Sequence, residues 1–126
     1  MAKVMLDANM VLRYLLNDNP IMYEKAKQLL KQDNVWVTFE VIAEVVYVLR
    51  KVYSTERQIV SNKVREFAGL VECRESDVLN LAIDTYAVKN LDFVDCVLYA
   101  YNKIDGFEIA TFDKKLLQLL NGDEQN

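Results

Sequence analysis

Lys3-Val4-Met5-Leu6-Asp7-Ala8-Asn9 is the stretch that decides the fold. Its apolar run stops at an acidic residue, and apolar positions at helical spacing (Val11, Leu12, Leu15, Leu16) follow at once. A buried parallel strand reads this way when it delivers a carboxylate to the edge of a sheet. In open α/β sheets, ligands bind beyond the carboxyl ends of the strands, which is where Asp7 and Asn9 would stand.

Working outward, the same alternation continues. A helix over 11–16 is stopped by Asn17-Asp18-Asn19-Pro20, because the residue before proline is pushed out of the helical region. A second helix spans 21–32, with Ala26, Leu29 and Leu30 inward, and Val35-Trp36-Val37 reads as strand. Thr38 is placed to cap a helix over 39–53, with Ile42, Val45, Val46 and Leu49 apolar. The next helix begins near Ser54-Thr55-Glu56-Arg57, with Ile59, Val60, Val64 and Phe67 as its buried stripe and Gly69 near its end. A strand over 70–74, helices over 76–88 and 94–103, a strand over 107–111 and a helix over 114–120 complete the chain. Strands alternating with helices specify an α/β fold, a three-layer α/β/α sandwich around a short, mostly parallel sheet. One domain over 1–126 is expected, with 121–126 as a frayed polar tail.

Composition narrows the chemistry. Lys and Arg number 15 against 19 Asp and Glu, a net charge of −4, so a polyanionic substrate needs a cation or a local basic patch. No apolar run reaches the ~20 residues of a membrane span, and no signal-peptide pattern opens the chain; a cytoplasmic location with no membrane partner is the expectation. Cys73 and Cys96 are too few for a disulfide framework and read as small apolar fillers. The absence of histidine excludes Ser-His-Asp triads, histidine-based ribonuclease chemistry and zinc sites built on His.

Four acids stand in apolar surroundings: Asp7, Glu44 within Val41-Ile42-Ala43-Glu44-Val45-Val46, Asp95 within Phe93-Val94-Asp95-Cys96-Val97, and Asp113 after Thr111-Phe112. Each has a bland reading. Asp7, Asn9 or Asp113 could cap a helix, Asp95 could answer its helix dipole with Asp92 as the cap, and Glu44 could form a buried ion pair. If the four converge, two carboxylates ~5 Å apart repel by roughly 3 kcal/mol at an effective dielectric of 20. A divalent ion relieves that repulsion, and an all-oxygen set suits Mg²⁺ or Mn²⁺. A phosphatase using an aspartyl nucleophile would want a second aspartate two residues after Asp7, where Asn9 stands. A receiver domain would want an acidic pair near the first strand and an acceptor aspartate in mid-chain.

These residues resemble those of the PIN-domain ribonucleases, especially the toxins of VapBC toxin–antitoxin pairs. The resemblance runs from Val4 to Leu120 and is carried by four pieces in order: 6–15, Glu44 with Val45, Val48 and Leu49, then 92–100 and 111–116. It implies a sheet of four or five strands and a Mg²⁺- or Mn²⁺-dependent endoribonuclease leaving 5′-phosphate ends. Asp7, Glu44 and Asp95 become the principal metal carboxylates and catalytic residues, with Asp113 the fourth. Asn9 and Thr111 resemble supporting polar residues, with Asp92 beside them. Arg13, Arg50, Lys51, Lys114 and Lys115 are candidate RNA phosphate contacts. The resemblance further implies a homodimer and a cognate antitoxin as partner. The alternatives are a PIN-fold nuclease of RNA processing, or a silent RNA- or protein-binding module of the same fold.

Overall fold

The computed structural model describes residues 2–125, with side-chain surroundings as far as Gly122. Two strands and seven α-helices are found among the described residues: β1 (Val4–Met5), α1 (Ala8–Leu16), α2 (Pro20–Leu30), β2 (Val35–Trp36), α3 (Phe39–Tyr47), α4 (Arg57–Ala68), α5 (Ser76–Val88), α6 (Phe93–Asp105) and α7 (Lys114–Gln125). The helices start and stop largely where local chemistry dictates. Asn19 Oδ1 accepts from Met22 N ahead of Pro20, and Thr38 Oγ1 accepts from Val41 N at the head of α3. Asn17 ends α1 and Gly106 ends α6, both in the left-handed conformation.

The sheet is smaller than expected. β1 and β2 pair in parallel, Val4 opposite Val35 and Met5 opposite Trp36. The strand expected over 70–74 is reduced to one parallel bridge from Glu72 to Trp36. The segment 107–111 has no regular secondary structure and joins no ladder, so four or five strands are not formed among the described residues. Strand propensity left these segments competent to pair, and pairing itself is decided by distant partners. Among the described residues, no backbone hydrogen bond is made on the side of β1 away from β2.

Leu6, Val35 and Val37 enter the core, while Met5 and Trp36 face a cleft on the other side, where the Lys3 ammonium lies 5.0 Å over the Trp36 ring. The core is therefore chiefly helical, with α4 and α6 packed on α5, α2 on α1, and α3 on both α1 and α6. Val11, Ile42, Val45, Leu49, Val60, Val64, Phe67, Ile83 and Cys96 are among its most buried side chains. Ser61 Oγ donates to the Ile83 carbonyl at 3.1 Å, satisfying a buried hydroxyl across the α4–α5 seam.

Three further expectations are corrected. The helix expected over 39–53 leaves α geometry at Val48, and Val48–Val52 form a π-helical turn in which Tyr53 N donates to Val48 O at 3.2 Å. Ile59 is exposed, because Val60, Ser61, Val64 and Phe67 already fill the inward face of α4. The backbone of α7 runs past Leu120 to Gln125, taking in much of the segment expected to fray; Asn126 lies outside the described residues. Among the described residues, no helix is long and apolar enough to cross a membrane. Both cysteines are free thiols. Burial pushes Cys96 up to about 12 and Cys73 up to about 11, so neither is a ready nucleophile.

Candidate active site

Three helix N-termini contribute to one cavity of about 440 Å³. The head of α6 supplies Asp92 and Asp95, the head of α7 supplies Lys114 and Lys115 just after Asp113, and α4 supplies its first residue, Arg57. The π-helical turn adds Arg50 and Lys51. Acids and cations thus share one space. The amide-rich ends of the helices add positive potential, which suits an anionic ligand.

Each carboxylate is held differently. Asp113 caps α7: Leu116 N donates to its Oδ1 at 2.8 Å, and its own N donates to Thr111 Oγ1 at 3.0 Å, so Thr111 fixes the turn that presents it. Asp92 occupies the cap position of α6 through its backbone, with Cys96 N donating to its carbonyl, and its side chain makes no capping hydrogen bond. Asp95 follows one turn on and is half-buried. Among the described residues, no hydrogen bond or ion pair engages the Asp92 or Asp95 carboxylate. Burial holds Asp95 above the usual carboxylate range, and the negative charges of Asp113 and Asp92 push it the same way.

The remaining predicted residues lie elsewhere. Asp7 is exposed and caps α1, its Oδ1 accepting from Met10 N at 2.8 Å, with exposed Asn9 in the first turn beside it. Glu44 is exposed as well, on the solvent stripe of α3 with Glu40 and Tyr47. Its apolar sequence neighbours bury the opposite face, so a hydrophobic context in sequence was not burial in space. Arg13 is ion-paired to Asp18 at 3.0 Å and does not line the cavity. Sequence reasoning passed over Arg57, although a signal was present. A cation at the first position of a helix opposes the macrodipole, which asks for another role.

The donor chemistry fits a hard divalent cation: oxygen ligands only, mutually repelling, with two carboxylates free of hydrogen bonds. As placed, no three acidic or cysteine side chains among the described residues are close enough to hold an ion.

In comparison with known families, the chain matches the PIN domain over residues 4–120. No curated protein and no solved structure matches it. PIN domains are generally nucleases that act on RNA, and they are typically dependent on divalent metal. The match spans all but the first three and last six residues, and the small parallel sheet among helices fits it; the chain belongs to the PIN domain family.

Proposed function

We propose that the chain is a Mg²⁺- or Mn²⁺-dependent endoribonuclease, the toxin of a VapBC-type pair, working in the cytoplasm as a single-domain homodimer held in check by a cognate antitoxin. The observation that carries the nuclease reading is the shared cavity, where Asp92, Asp95 and Asp113 face Arg50, Lys51, Lys114 and Lys115. The toxin, dimer and antitoxin rest on the sequence resemblance alone.

Asp95 and Asp113 would hold the metal, with Asp92 beside them. Asp7 and Glu44 join this set on the family pattern, carried by α1 and α3, which pack on one another while α3 also packs on α6. When bound, the ion supplies a polarised phosphoryl oxygen and a water acidic enough to attack at neutral pH. The chain's own residues do the rest. Arg50, Lys51, Lys114 and Lys115 would contact RNA phosphates and locally offset the net charge of −4. Thr111 fixes the backbone that aims Asp113. On the family pattern Asn9, in the first turn of α1, would orient the carboxylate of Asp7.

Cleavage of labelled cellular RNA, with ends mapped, tests the reading. Cutting is expected with Mn²⁺, leaving 5′-phosphates, and is expected to cease in excess EDTA; cutting that persists in EDTA would sink the mechanism. A co-expressed small protein that co-purifies and suppresses cutting supports the toxin assignment.

Glu44 has its own test, because it stands outside the cavity. Mn²⁺ is expected to raise the melting temperature of the unsubstituted protein, and to raise that of Glu44→Gln much less. An equal rise in both removes Glu44 from the metal set.

A further inference from the structure

We propose that Arg57 is a positioning residue: it clamps the Leu91–Asp92 corner from which α6 starts, and so sets where Asp92 and Asp95 stand. The inference rests on the nuclease reading above. It deepens that reading by assigning a role to a cavity cation whose guanidinium donates to two backbone carbonyls.

Arg57 opens α4, yet its contacts belong to the far end of α5 and the turn beyond it. Its Nε donates to the Tyr86 carbonyl at 3.0 Å, a terminal nitrogen donates to the Leu91 carbonyl, and the guanidinium carbon lies 3.8 Å from the centroid of the Tyr86 ring. No carboxylate pairs with it among the described residues. The peptide that joins Leu91 to Asp92 is therefore held from two sides. The Leu91 side chain is buried in the core, and its carbonyl is bound by Arg57. Asp92 occupies the cap position directly after this peptide, its carbonyl accepting the first helical bond from Cys96 N, and Asp95 stands in the first turn. A shift of the Leu91 carbonyl would turn the head of α6 and move both carboxylates together.

Only arginine does this. A planar fork can reach two carbonyls while stacking on a ring, whereas lysine brings a point charge that reaches one of them. Arg57→Lys consequently separates charge from grip. If Arg57 bound substrate phosphate, lysine would largely serve, and its loss would weaken RNA binding and flatten the salt dependence.

The test compares the unsubstituted protein with Arg57→Lys and Arg57→Gln, using calorimetric Mn²⁺ titration, cleavage kinetics on a labelled single-stranded RNA, and the salt slope of RNA binding without divalent ion. Both variants are expected to lose about 10- to 100-fold in Mn²⁺ affinity and in kcat, the range for groups that orient metal ligands, with KM and salt slope unchanged. Wild-type Mn²⁺ affinity and kcat in Arg57→Lys overturn the clamp and leave the nuclease reading standing. A raised KM with a shallower slope overturns it too, making Arg57 a phosphate contact. An unsubstituted protein that neither binds Mn²⁺ nor cuts RNA overturns the nuclease reading, and the clamp with it. Should neither variant fold by circular dichroism, the Arg57 Nε–H resonance of the unsubstituted protein decides. It is expected to stay unmoved on RNA addition, and movement overturns the clamp.

Discussion

Replacing Asp95 by asparagine is expected to abolish RNA cleavage and, in the same protein, to raise the melting temperature measured without divalent ions. The two effects share one cause. Asp95 is half-buried beside Asp113 and Asp92, with no cation or hydrogen-bond donor engaging it among the described residues, and both influences hold its carboxyl above the usual range. A carboxyl whose folded value exceeds its unfolded value binds its proton more tightly in the folded protein. It therefore opposes folding at neutral pH, and this opposition fades as the pH falls through the folded value toward the unfolded one. Asparagine keeps the shape and removes the charge. Activity should fall by more than about 100-fold, beyond the loss typical for groups that merely orient ligands. The melting temperature without metal should rise at pH 7 and converge with that of the parent on acidification. Parallel melting curves at every pH would refute the electrostatic account, and retained cleavage would remove Asp95 from the site.

The second large effect concerns stability. Phe67 is the largest of the fully buried side chains, set in α4 with the Tyr14 ring 6.2 Å away in a tilted arrangement. Phe67→Ala is expected to cost about 3–5 kcal/mol, the transfer free energy of the ring plus the cavity it leaves. A domain of this kind has only about 5–15 kcal/mol to lose. Urea unfolding followed by circular dichroism reads the loss directly. A change below about 1 kcal/mol would mean that the space collapses around the alanine, and that the α1–α4 contact contributes little.

The helices were largely legible in the chain because they are local. Apolar spacing placed all seven, Thr38 caps α3 through its side chain, and Gly69 stands at the C-terminal cap position of α4. Sheet size was not legible. Residues 70–74 and 107–111 have the composition of strands, but one makes a single bridge and the other none, since a ladder depends on residues far away in sequence. Glu44 misled for a related reason. Ile42, Val45 and Val46 surround it along the chain yet turn to the other side of α3, so the periodicity that identified the helix also implied an outward face. At the site, Asp92, Asp95 and Asp113 are brought to one cavity while Asp7 caps α1 outside it. Arg57 reaches carbonyls 29 and 34 residues away, and no local pattern encodes that.

The π-helical turn at Val48–Val52 has a consequence for how such a chain can change. One such turn is equivalent to one residue inserted into an α-helix, and each residue advances a helix by about 100°. Deleting a single residue between Val48 and Val52 would rewind the turn into regular α-helix and continue the axis of α3. Arg50 and Lys51, or what remained of them, would then swing by that angle relative to the cavity they now line. A one-codon deletion is thus a short evolutionary path from a cavity lined by Arg50, Lys51, Arg57, Lys114 and Lys115 to one that keeps the last three, taken with Ile42, Val45 and Val46 of α3 left in place.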